Sequence, residues 1–228
     1  MMRFLRGGFM PNLTTSLPLN LLLGRLSNPV GELTQPPLSN ECGAYALTAT
    51  LAAFADWPES TIITYQENTN VIHQSDDFIH AKNKIYCLTG VLNPDGGANV
   101  AEGGYNSPAA IAAVAMDFSL KASVNITTAG LFALGELYPH EWSACEAVVG
   151  EQNRHIDAVY TDPYDGQVQL ICAVSGPQEL HMLARGSDGL YYDPNTGIRN
   201  NDWGNPMLSL FQQHSDYEFA GLWLTLSA

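Results

Sequence analysis

The stretch Asn40 to Phe54, NECGAYALTATLAAF, places a cysteine where an alanine-rich helical segment begins. The first turn of a helix leaves backbone N–H groups unpaired and carries the positive end of the helix dipole. Both favour thiolate over thiol, so Cys42 stands where a nucleophile would. A nucleophilic thiol needs a base to take its proton and a third group to orient that base. Among His73, His80, His140, His155, His181 and His214, the setting of His181 suits the task. It opens HMLARGSDGLYYDPNTG, which reads as strand, Gly-Ser-Asp-Gly turn, strand and Asp-Pro turn. Such a hairpin can hold the His181 imidazole and the Asp193 carboxylate in fixed relation, as a general base and its orienter require.

Whether it does so depends on register. Pairing Gly186 with Gly189 sends His181 and Asp193 to opposite faces. An odd loop, made by pairing Gly186 with Asp188 or Arg185 with Gly189, sets His181 directly opposite Asp193 on one face. Glycines at both ends of the turn make an odd loop with a left-handed residue easy to build. Each residue also has an ordinary reading. Cys42 alone would be a small buried hydrophobe, His181 a satisfied core histidine, and Asp193 the usual residue of an Asp-Pro turn.

The elements that must position these groups are legible in outline. Gly43 to Phe54 reads as an amphipathic helix closed off by DWPES, and SPAAIAAVAMDF as a helix with Ser107 at the N-cap and Pro108 at its first position. PHEWSACEAVVGEQN is a third helical candidate, with Cys145 on its apolar face. Strand-like runs come later: LKASVNI, HIDAVYT, QVQLICAVS, LHMLAR, GLYYD and FAGLWLTL. Helices first and strands afterwards predict an α+β domain, with helices packed on a twisted antiparallel sheet. Residues 1–34 read as an N-terminal extension and 35–228 as the catalytic domain.

Composition bounds the partners. The chain has 228 residues, 46% of them apolar and 14% charged, and a net charge of −14, which describes a globular protein with a substantial core. So acidic a body disfavours nucleic acid and anionic membrane surfaces and leaves a protein or peptide as the expected substrate. No run approaches the length of a membrane span. The start, MMRFLRGGFMPNLTTSLPLNLLLG, is broken by Gly, Pro and Asn and makes a poor secretory signal, so the expected location is cytoplasmic, or outside the cell by a route without a cleaved signal. The four cysteines, Cys42, Cys87, Cys145 and Cys172, match no zinc or redox motif. Free thiols are the default, although four would allow two disulfides. His140 and Cys145 are poorly spaced to share a metal on one helix face, and Cys172, inside QLICAVS, reads as a core residue.

The combination of ECGAYAL at a helix start, a strand-borne histidine far downstream and then YYDP resembles the papain-like cysteine peptidases. Within that superfamily it is most similar to the branch that includes the bacteriocin-processing, double-glycine leader peptidases. The order Cys, His, Asp, with spacings of 139 and 12 residues, fits that pattern. The resemblance implies a papain-like fold, Cys42 as nucleophile, His181 as base and Asp193 as orienting acid, with no metal or organic cofactor. It also implies an oxyanion hole made by the Cys42 N–H and a glutamine shortly upstream. Gln35 lies seven residues before Cys42, one more than the family's usual spacing, with Pro36 and Pro37 between. Asn40 is the alternative donor. Glu41 stands where the branch usually has Asp. In papain-like enzymes an indole covers the His–Asp hydrogen bond, and Trp203 in NNDWG is a candidate for that place beside an ordinary packing role.

The chemistry implied is attack of the Cys42 thiolate on a carbonyl, with His181 moving the proton and water resolving the acyl-enzyme. The same triad serves a glutamine deamidase or a transglutaminase-like effector, and a binding module could keep the fold without the activity. Peptide cleavage ranks first among these.

Overall fold

The computed structural model describes residues 30–54, 59–175 and 179–228, so most of the expected extension at 1–34 lies outside the described residues. In chain order the elements are α1 (Cys42–Phe54), the hairpin β1 (Ser60–Tyr65) and β2 (Asn68–His73), α2 (Phe78–Thr89), β3 (Gly90–Leu92), β4 (Tyr105–Asn106) and α3 (Pro108–Asp117). There follow β5 (Lys121–Ile126), α4 (Thr128–Leu137), α5 (Glu141–Val149), β6 (Arg154–Ile156), β7 (Gln167–Ser175) and β8 (Glu179–Gly186). The chain ends with β9 (Tyr191–Asp193), β10 (Ile198–Asn201), α6 (Ser209–Ser215) and β11 (Tyr217–Ser227).

Local chemistry starts these helices where the residues dictate. Ser107 caps α3, its hydroxyl accepting from the Ala110 N–H at 3.1 Å, and Pro108 fills the first helical position, where no N–H is needed. Thr127 does the same for α4 through Gly130. Helix α1 departs from the amphipathic expectation: every residue but Ala52 is buried. It tolerates polar residues inside because Thr48 and Thr50 bond back to the carbonyls of Ala44 and Ala46 at 2.7 and 2.8 Å.

Seven strands form one sheet in the order β10-β9-β8-β7-β11-β5-β6. Neighbours are antiparallel except β5 and β6, which run parallel, so the sheet is mixed rather than wholly antiparallel. The reason is the connection: α4 and α5 carry the chain back across the sheet before β6 begins, and a return of that kind lays strands side by side in the same direction. The two sheet faces divide the core. Val168, Leu170, Met182, Ala184 and Tyr192 pack toward α1 and the other helices, while Ile171, Ala173, Leu183 and Tyr191 join an aromatic cluster with Trp203, Phe211, Tyr217 and Trp223. Helices on a seven-stranded mixed sheet make this an α+β protein, compatible with a papain-like cysteine protease fold. Among the described residues, no helix is long and apolar enough to cross a membrane.

Candidate active site

Cys42 is the first residue of α1 and only 5% exposed. Glu41 precedes the helix, its carbonyl accepting from the Tyr45 N–H at 3.0 Å. Its carboxylate meets the ammonium of buried Lys82 at 2.9 Å, and Lys82 lies over the Tyr45 ring at 4.9 Å. The segment before the cysteine is fixed from the other side by Asn106, whose amide donates to the Asn40 carbonyl at 2.7 Å and accepts from the Thr89 hydroxyl at 2.7 Å. Gly43 makes that possible. A Cβ at this position would lie 2.5 Å from the Asn106 Cβ and 3.0 Å from Ile111 Cδ1, so a larger residue would push the strand off the helix start. The glycine after the cysteine is therefore a requirement of close packing.

His181 and Asp193 meet on β8 and β9, with His181 Nε2 2.8 Å from Asp193 Oδ1 and both side chains buried. The hairpin register differs from each of those weighed above. Gly186 donates to the Leu190 carbonyl at 3.1 Å, Arg185 faces Tyr191 and Ala184 faces Tyr192. The loop is Ser187–Asp188–Gly189, with Gly189 at φ +79 and its N–H donating to the Gly186 carbonyl. A left-handed residue at the end of a three-residue loop shifts the pairing by two from the expected odd register. Continued, it sets Leu183 opposite Asp193, so His181 is a diagonal neighbour on the same face. Diagonal neighbours lie within reach of long side chains, and the imidazole spans the gap.

Cys42 and His181 line one cleft, and the Cys42 sulfur is among the groups that act on the imidazole. Burial alone would lower the His181 pKa, but the Asp193 carboxylate and the Cys42 sulfur outweigh it and push it up to about 9. The Asp193 carboxylate also accepts from the Asn195 backbone N–H at 2.9 Å, from the Thr196 hydroxyl at 3.2 Å and from the Tyr217 hydroxyl at 3.1 and 3.2 Å.

Tyr217 and Asn195 were not singled out in the sequence. No motif marks either one; the only signal at Tyr217 is an aromatic residue opening the last strand. Trp203 does not lie on the imidazole. It packs against the Tyr217 ring at 5.9 Å, and it is Tyr217 that stacks on His181. Gln35 is buried, takes its backbone N–H to the Pro194 carbonyl at 2.8 Å and donates its side-chain amide to Asn195 Oδ1 at 2.5 Å. Asn40 turns its amide to the Gly103 carbonyl at 2.9 Å.

Beside Cys42 and His181 opens a cleft of about 850 Å³. Its walls are largely apolar: Ala133, Leu134 and Leu137 of α4, Leu180 and Met182 of β8, and Met207. Helix α4 stands as one wall because it crosses β11 backbone to backbone. A Cβ on Gly130 would come within 2.7 Å of the Gly221 carbonyl oxygen, and Thr127 donates its N–H to that same oxygen at 2.8 Å.

The remaining thiols separate by setting, and all four cysteines are free. Cys145 is fully buried on α5, and burial pushes its thiol well above the usual range, as for an inert structural cysteine. Cys172 is half-buried: it packs against the core, as its sequence reading expects, and also lines the cleft wall, and burial pushes its thiol up to about 12. His140 precedes α5 at its N-cap, without a side-chain capping bond. Among the described residues, no group of three or more His, Cys, Asp or Glu is placed to hold a metal ion.

Comparison with known families gives a match over residues 34–228 to the family described as "Invasion plasmid antigen J, cysteine protease". No curated protein and no solved structure matches the chain.

Proposed function

The chain belongs to the invasion plasmid antigen J cysteine protease family and is a cysteine peptidase; from that premise we propose that Cys42, His181 and Asp193 are its catalytic triad, with residues 35–228 as the catalytic unit. The observation that carries this reading is the single imidazole that meets Asp193 Oδ1 at 2.8 Å and shares the lining of one cleft with Cys42. An imidazolium beside the sulfur is what an ion-pair nucleophile requires, and the position of Cys42 at a helix start adds the dipole.

In this reading the Cys42 thiolate attacks the substrate carbonyl carbon and His181 then gives its proton to the leaving amine. Water, deprotonated by the neutral imidazole, attacks the acyl carbon, the C–S bond breaks to release the acid, and the thiolate–imidazolium pair is restored. Asp193 keeps the ring turned toward the sulfur. The backbone N–H of Cys42 and the amide of Gln35 stabilise the oxyanion. Gln35 is preferred to Asn40 because it is tied to the turn that follows Asp193, whereas the Asn40 amide is directed to Gly103. The apolar cleft takes an apolar part of a protein or peptide substrate beside the scissile bond. The likeness of ECGAYAL and YYDP to the bacteriocin-processing branch is a likeness of those motifs.

The test is a peptide library incubated with the wild-type protein and with Cys42→Ala, followed by mass spectrometry. New amino termini in the wild-type digest and none with Cys42→Ala support the proposal. Identical peptide sets, or masses raised only by deamidation, overturn it.

A further inference from the structure

Tyr217 touches both members of the His–Asp pair. Its ring stacks on the His181 imidazole, with centroids 4.9 Å apart and planes 18° from parallel. Its hydroxyl donates to the Asp193 carboxylate, 3.2 Å from Oδ1 and 3.1 Å from Oδ2. The same hydroxyl accepts from Asn195 Nδ2 at 2.9 Å, and Asn195 Oδ1 accepts from Gln35 Nε2 at 2.5 Å. We propose that Tyr217 is a positioning residue of the active site: its hydroxyl fixes the Asp193 carboxylate toward His181, its ring holds the imidazole in plane, and through Asn195 it ties the acid to Gln35. This rests on the triad reading above.

Packing alone does not account for a tyrosine here. A phenylalanine would fill the same space and stack on the same ring, without adding a polar group to a buried site. The hydroxyl instead has two partners, donating to one and accepting from the other, as a fully satisfied buried phenol does. Burial and the neighbouring Asp193 charge push its pKa well above the usual range, so it stays protonated as a donor. The fold also commits to its aim. Asp216, just before it, sits in the left-handed region at φ 59, where the chain turns from α6 into β11, and Trp203 packs against the Tyr217 ring with centroids 5.9 Å apart. Asp is among the few residues that tolerate that conformation.

A carboxylate held by one donor fewer can rotate away from Nε2, and the imidazolium beside the thiolate then loses part of its stabilisation. Site-resolved labelling of Cys42 by iodoacetamide in the full chain at pH 6 reads this directly; peptide mapping separates Cys42 from the exposed Cys87. The variants are Tyr217→Phe, Asp193→Asn, the two combined, and His181→Ala. Tyr217→Phe, which keeps the ring, is expected to slow labelling roughly tenfold, the size of one hydrogen bond to a charged group. In the Asp193→Asn background the same change is expected to alter the rate by less than about twofold, because the charge it served is gone. A Tyr217→Phe rate equal to wild type, or the same slowing in both backgrounds, overturns the proposal while leaving the triad intact. Equal labelling of wild type and His181→Ala overturns the triad reading itself.

Discussion

His181 Nε2 and Asp193 Oδ1 lie 2.8 Å apart, although the two residues are diagonal neighbours on β8 and β9 and do not face one another. The pair therefore depends on side-chain direction as well as on register, and the carboxylate is aimed by three further donors: the Asn195 N–H, the Thr196 hydroxyl and the Tyr217 hydroxyl. Asp193→Asn keeps the shape and removes the charge. It is expected to lower kcat by at least about tenfold with little change in KM, because in the proposed triad the carboxylate acts through the imidazole and not on the substrate. Steady-state kinetics on a cleaved peptide check this.

The pH dependence of stability follows from His181. Its folded pKa, about 9, is above the ordinary 6.5. A raised histidine value means that the folded state holds the proton more tightly than the unfolded one. The stabilisation is then complete below about pH 6.5 and is lost as pH rises through about 9. Thermal melting of the wild-type protein should show Tm falling across that window. In His181→Gln the part of the slope due to this group should be absent.

Gly43 and Asn106 give a packing prediction. Gly43→Ala puts a methyl group where Asn106 Cβ and Cγ would be 2.5 and 2.7 Å away. Overpacking of this kind costs about 1–3 kcal/mol, read as a lower midpoint in urea unfolding. Because Asn106 also holds the Asn40 carbonyl, the change should slow Cys42 labelling as well as destabilise the fold.

The parts of this fold that were legible in the sequence are those fixed by local chemistry. The start of α1 at Cys42, the Ser107–Pro108 cap of α3 and the full extent of β7 all follow from neighbouring residues. Tyr217 is 24 residues from Asp193, and Gln35 is 160 from Asn195, so contacts between them exist only after packing. Of the two hairpin registers weighed, the odd one has the right parity and the wrong offset, because the loop closes over three residues ending in left-handed Gly189. Helix α4, TAGLFALGEL, is apolar on most sides and buries only Gly130. It has no periodic stripe to reveal it and was missed, and with it went the crossover that makes β6 parallel.

The cleft should be separable from the chemistry. Ala133 lines it from α4 and is exposed, so Ala133→Trp fills space without disturbing the core. KM for an apolar peptide substrate is expected to rise roughly tenfold, while Cys42 labelling by the small reagent iodoacetamide stays within about twofold of wild type.

The central claim is that His181 activates Cys42. The most direct measurement is the second-order rate of Cys42 carboxamidomethylation at pH 6.5, in the wild-type protein and in His181→Ala, with Cys87 of the same molecule as the internal standard. The triad predicts that wild-type Cys42, though buried, labels faster than the exposed Cys87, and that His181→Ala slows it by about tenfold or more. Equal Cys42 rates in the two proteins would contradict the account.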